Sequence, residues 1–218
     1  MVDPGADPVP VRASAGQNDR VTTSDSGPSA QEIHRVIFVC TGNICRSPMG
    51  DVVLRRLAAE RVMTDGTVLA DLVDVSSAGT GGWHVGEPMD PRARSALEYR
   101  GYVDHGHRAR AFDTAWLPGV GLVVCMDRGH RQTLASMARA KAGDYRYDDD
   151  LVMMRSFDPR AGGDPDVPDP YYGDDADFER CLDLVEAGCR GLVDALAVSL
   201  AVPPAVGPTG GQDVQPPP

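Results

Sequence analysis

The feature that most constrains this 218-residue chain is the segment Cys40-Thr41-Gly42-Asn43-Ile44-Cys45-Arg46-Ser47-Pro48, which follows the β-branched apolar run His34–Val39. The run predicts a strand. The amphipathic stretch 47–63 after it predicts a helix, with Val52, Val53, Leu57 and Val62 as its apolar stripe and Arg55, Arg56, Glu60 and Arg61 toward water. The segment between is a strand-to-helix turn, which aims several backbone N–H groups at one point and so cradles a phosphate dianion. Gly42 can take positive φ without penalty, and Asn43 is among the few other residues that tolerate it. Arg46 offers a planar fork of donors for two phosphoryl oxygens. Ser47 suits the helix N-cap, with Pro48 at the first helical position. Cys40 stands at the positive end of the helix, where a thiol ionises more readily, so the pattern points to a thiolate facing bound phosphorus. A structural cysteine before an ordinary capped helix would not require all these parts together. A zinc reading of Cys40 and Cys45 lacks the usual paired spacing and a second pair, so no metal is expected.

Further along, 72–77 reads as a strand, 90–99 as a helix and 121–126 as an apolar strand without alternation. Helix 128–141, a short strand over 150–154 and a long closing helix over 176–200 complete the order. Strands alternating with helices imply parallel βαβ units: an open α/β fold with a four-stranded parallel sheet and helices on both faces. Ligands of such sheets sit beyond the carboxyl ends of the strands, which again selects the 40–47 turn. Residues 1–31, rich in Gly, Pro, Ser, Asp and Gln, and residues 202–218, rich in Pro, Gly and Gln, are read as disordered tails flanking one domain over 32–201.

The formal charge of −11 argues against a nucleic-acid or membrane-surface partner, since both rely on basic excess. No window is apolar enough to span a bilayer, and no basic-then-apolar stretch opens the chain. Five unevenly spaced cysteines suggest no disulfide framework, so a reduced, cytoplasmic protein is expected.

With its C-x-G-N-x-C-R-S-P loop and the second motif Asp169-Pro170-Tyr171-Tyr172-Gly173, the sequence resembles the low-molecular-weight protein-tyrosine phosphatase family of bacterial type over about 36–196. The resemblance implies phosphotyrosine hydrolysis with no cofactor. Cys40 would form a phosphocysteine, Arg46 would clamp the phosphoryl oxygens, and Asp169 would act as general acid and then base. Thr41, Gly42, Asn43, Ile44, Cys45 and Ser47 would complete the phosphate loop, with Ser47 donating to the thiolate. Tyr171 and Tyr172 would form one wall of an aromatic slot and Trp83 the other. Ser77 and His107 would hold Asn43 in a strained conformation, and Asp127 matches an acidic position near this network. The implied partners are tyrosine-phosphorylated proteins and a cognate tyrosine kinase. Asp158-Pro159 is the competing candidate for the acid, but it lacks the Tyr-Tyr-Gly context.

Two other chemistries share the fold. An arsenate reductase needs a close pair of relay cysteines, whereas Cys181 and Cys189 lie eight residues apart on one predicted helix, roughly 12 Å along its axis. Arginine phosphatases of the same family carry Thr at the position of Ile44 and lack the paired tyrosines. One redox consequence is also expected: Cys40 and Cys45 share one loop, so oxidation could join them reversibly.

Overall fold

The computed structural model describes residues 33–142 and 149–201. The segments 1–31 and 202–218, read as tails from composition, lie outside the described residues. Among the described residues eight principal elements alternate: β1 His34–Cys40, α1 Arg46–Glu60, β2 Val73–Gly79, α2 Pro91–Tyr99, β3 Leu122–Cys125, α3 Arg128–Ala142, β4 Leu151–Met153 and α4 Asp175–Ser199. The strands form one parallel sheet in the order β2-β1-β3-β4. From β1 the chain pairs β2 on one side and β3 on the other, so the strand order reverses at the carboxyl end of β1. The phosphate loop sits at that switch point.

Alternation along β1 explains why both faces are covered. Val36 and Phe38 point into the larger core, which α1, α2 and α4 supply through residues such as Met49, Leu54, Leu97, Phe178 and Leu182. Ile37 and Val39 point to the opposite face, where Val123, Cys125, Phe112, Leu117 and Leu134 of α3 close a smaller core. With β1 buried on both sides, an unbroken apolar run is what its position demands.

α4 begins with a reciprocal capping box, in which the Asp174 side chain accepts from the Asp177 amide and Asp177 accepts from the Asp174 amide. Two departures from expectation fall on α1. The helix starts at Arg46 with Cys45 as its N-cap, so Ser47 and Pro48 lie inside the first turn, not at the cap and first position. It ends at Glu60, leaving Val62 outside the helix and largely exposed; Met49, Leu54 and Ala58 fill the stripe instead. No described helix is long and apolar enough to cross a membrane.

Candidate active site

The carboxyl end of β1 delivers Cys40 to the floor of a cavity of about 320 Å³ lined by Cys40, Arg46, Asp169, Trp83, His84 and Tyr171, among others. The carbonyls of the loop are tied to the chain behind it. Thr80 N–H donates to Cys40 O (2.8 Å), Gly81 N–H to Thr41 O (2.9 Å), and Asp90 N–H to Ile44 O (2.8 Å). Among the described residues the amides of 42–45 have no protein acceptor, which leaves them for a bound anion. Close packing enforces this arrangement: a Cβ on Gly79 would lie 2.6 Å from Thr41 O and 3.1 Å from Asn43 N.

Asn43 adopts φ 57°, the left-handed conformation expected of it, whereas Gly42 does not have positive φ. Gly42 serves space instead, since a Cβ there would meet His84 at 2.8 Å. Asn43 is held from three sides. Its Nδ2 donates to Ser47 Oγ (2.9 Å), its Oδ1 accepts from Arg110 N–H (2.9 Å), and its carbonyl lies 2.7 Å from His107 Nε2. Ser77 is buried nearby, but its contribution runs through its carbonyl, which accepts from Arg110 Nε at 2.9 Å.

Ser47 Oγ lies 3.0 Å from Cys40 Sγ and 3.2 Å from Ala78 O. Its single proton can serve only one of them, and because Asn43 already donates to the same oxygen, an ionised Cys40 draws that proton. The other thiols are less available. Burial pushes Cys125 and Cys181 up to about 12 and raises Cys45 and Cys189 further, with Asp90 and Cys40 adding to the rise at Cys45.

The Arg46 guanidinium is buried, and both of its terminal nitrogens are engaged. Nη1 donates to Asp127 Oδ2 (2.9 Å) and Val167 O (3.1 Å), and Nη2 donates to Asp169 Oδ2 (2.6 Å) and Thr41 Oγ1 (3.2 Å). Asp169 thus sits at the cavity. Asp158, its competitor, is buried elsewhere, capping a turn through the Arg160 amide. Trp83 and Tyr172 stand at the rim, 76% and 96% exposed, with Tyr171 packed edge-on against Tyr172 at 5.0 Å.

Three supporting groups escape the sequence reading. Asp90 is buried; desolvation alone would raise its carboxyl, but the Arg92 guanidinium and amide outweigh this and hold it low. Arg92 in turn donates to Tyr171 O (3.0 Å) and Gly173 O (3.1 Å), so one pair braces the loop that carries Asp169 while the Asp90 amide braces the phosphate loop. His84 lines the slot beside Trp83, with Nδ1 2.7 Å from Glu87. His130 bridges Thr41 Oγ1 (Nε2, 2.9 Å) and the Asp127 amide (Nδ1, 3.2 Å). Because Nδ1 accepts, the ring proton sits on Nε2 and is donated to Thr41. Burial lowers this imidazole to about 4, although Asp127 Oδ1 lies only 3.0 Å away. With the imidazole neutral, that contact is not an ion pair, and the Asp127 charge is met by Arg46 through its other oxygen.

Against known proteins, the sequence model for low molecular weight phosphotyrosine protein phosphatases matches residues 35–201. The chain belongs to the low-molecular-weight protein-tyrosine phosphatase family. It is 48% identical over 165 residues to a low molecular weight protein-tyrosine-phosphatase of Streptomyces coelicolor, spanning 75% of this chain and 93% of the relative. It is 43% identical to low molecular weight protein-tyrosine phosphatase A of Mycobacterium tuberculosis, spanning 76% and 93%. Among solved structures, YfkJ from Bacillus subtilis superposes with TM-score 0.64 at 32% identity, over 77% of this chain and 96% of that one. A structure of the YwlE arginine phosphatase gives TM-score 0.61 at 26% identity, over 73% and 93%. Like the rest of this phosphatase family, the enzyme is a phosphoric monoester hydrolase, and its family implies phosphotyrosine proteins as substrates.

Proposed function

We propose that the enzyme hydrolyses phosphotyrosine through a phosphocysteine on Cys40, with Arg46 as phosphate clamp and Asp169 as general acid and base. The observation that carries this reading is the meeting of Cys40, Arg46 and Asp169 in one cavity rimmed by Trp83, Tyr171 and Tyr172. The Cys40 thiolate attacks phosphorus while the bond to the phenolic oxygen breaks, and a proton on Asp169 passes to that oxygen. The Asp169 carboxylate then takes a proton from water, which attacks phosphorus. The P–S bond breaks, phosphate departs, and Ser47 stabilises the returning thiolate.

The ion pair between Arg46 and Asp169 gives the cycle an order. An arriving dianion competes for Arg46 Nη2 better than a carboxylate does, and the displaced Asp169 is freed to face the leaving oxygen. Asp127 and Val167 O keep their hold on Nη1 throughout. Ile44, buried and lining the slot, offers only an apolar surface, which suits an aryl group better than a guanidinium. A cytoplasmic setting would keep the nucleophile reduced, and a protein tyrosine kinase would supply the substrate.

The test compares phosphotyrosine, phosphoserine and phosphoarginine peptides as substrates. Phosphotyrosine should be preferred, Cys40→Ser should abolish turnover, and Asp169→Ala should slow it about 10²–10⁴-fold. The Asp169 effect should shrink for p-nitrophenyl phosphate, whose leaving group scarcely needs a proton. Turnover surviving Cys40→Ser, or preference for phosphoarginine, would overturn the reading.

A further inference from the structure

The sheet face that α3 covers is roofed over only part of its width. Toward its β2 edge, β1 and β2 place Arg35 opposite Asp74 and Ile37 opposite Ser76, and a second cavity of about 410 Å³ opens there, away from the catalytic slot. Four arginines border it: Arg35, Arg55, Arg108 and Arg110, with Trp116 beside them. Arg55 is answered by Asp51 at 2.6 Å, and Arg35 only loosely by Asp74 at 3.8 Å. Arg108 and Arg110 face no carboxylate among the described residues. Arg108 Nη1 donates to the carbonyl of its neighbour His107, while Arg110 Nε donates to Ser77 O and its guanidinium lies 4.7 Å from the Trp116 ring centroid.

On a chain of net charge −11, a concave surface bearing four guanidiniums against two carboxylates inverts the sign of its surroundings. A cleft of one sign focuses the field and concentrates ligands of the other. Guanidinium forks match phosphoryl oxygens, and the volume falls in the range of small-molecule sites, larger than one orthophosphate fills.

We propose that this cavity binds a small molecule bearing more than one phosphate charge, and that its occupancy is felt at the phosphate loop. The link is the segment 107–110. Its arginine side chains border the cavity, while its Arg110 amide and His107 ring hold Asn43 at 2.9 and 2.7 Å. A ligand that draws Arg108 and Arg110 toward itself pulls on the two bonds that fix the strained residue of the catalytic loop.

The chain has two tryptophans, one bordering each cavity. Trp83→Phe therefore leaves Trp116 as sole reporter, and carboxymethylation of Cys40 closes the catalytic loop to anions. Titrating this protein with inorganic tripolyphosphate should give a saturable change in fluorescence that weakens steeply with added salt. The Arg35→Glu/Arg108→Glu double variant should bind at least tenfold more weakly. Arg108→Ala, which loses only an exposed side chain, should show a smaller weakening with unchanged melting temperature. In the unmodified enzyme, tripolyphosphate should change kcat at saturating aryl phosphate, an effect absent from the double variant. No saturable signal, or one indifferent to both substitutions, overturns the site; full occupancy with unchanged kcat overturns the link to the loop. Orthophosphate binding as tightly as tripolyphosphate would overturn the requirement for several phosphate charges.

Discussion

Asn43 concentrates the geometry of the phosphate loop on one residue. Its φ of 57° is costly for most side chains and least so for asparagine, and three bonds, to Ser47, Arg110 and His107, hold it there. Asn43→Gly and Asn43→Ala both remove the two side-chain bonds, leaving the Arg110 amide without its acceptor. Only the alanine also bears the left-handed penalty of about 1–2 kcal/mol. The alanine variant should therefore be the less stable of the two by about 1 kcal/mol in urea unfolding, reversing the usual order of these residues. Both should turn over more slowly than wild type, because Ser47 loses the donor that directs its own proton toward Cys40. Equal stability would mean that the loop relaxes out of the left-handed region once the side chain is gone.

At the scale of elements, α4 shows how a substitution that favours a helix in isolation can work against the fold. Gly191 lies in α4 where it crosses the 3-10 turn Met154–Phe157, and a Cβ there would collide with the Phe157 carbonyl. In an open helix Gly→Ala stabilises by about 1 kcal/mol. Here overpacking against backbone should reverse the sign, and Gly191→Ala should destabilise by about 1–3 kcal/mol, read as a lowered urea midpoint at unchanged slope. A raised midpoint would show that α4 can lift from the turn at no cost. The same contrast between local and distant causes explains what the sequence discloses. The runs His34–Cys40 and Leu122–Cys125 are legible because their apolar content follows from burial on both faces. Asn43 and Arg46 are legible because a phosphate turn requires those residue types locally. The 3-10 turns carry no periodic signal, and the start of α1 moves to Arg46 because Ser47 is drawn inward to Cys40 and Ala78 instead of capping. Asp90, Arg92 and His130 are illegible for one reason: Arg92 meets Gly173 across 81 positions, and His130 meets Thr41 across 89.

His130 ties the phosphate loop to the acid response of the whole molecule. It is buried and neutral, and its neighbours are charged on every side: Asp127, Arg46, Asp169 and Asp166. Burial lowers its folded value to about 4, against about 6.5 in an unfolded chain. Between these values the unfolded state binds the proton and the folded state does not. The histidine's contribution to stability is therefore complete above about 6.5 and is lost as pH falls toward 4. The surface carboxylates act in the same range by a different route: protonating them relieves the self-repulsion of a net −11 chain, and that effect is common to wild type and variant. His130→Gln retains an N–H for Thr41 but cannot titrate, so the difference between the two stability curves isolates the imidazole. Across pH 6.5 to 4 the wild-type curve should fall more steeply, by up to about 1.4 kcal/mol per pH unit for one whole proton. Parallel curves would show that the folded protein accepts the proton after all, with Asp127 Oδ1 holding it. In that case His130 could no longer accept from the Asp127 amide, and turnover should drop over the same pH range as Arg46 loses the orientation that Asp127 and Thr41 give it.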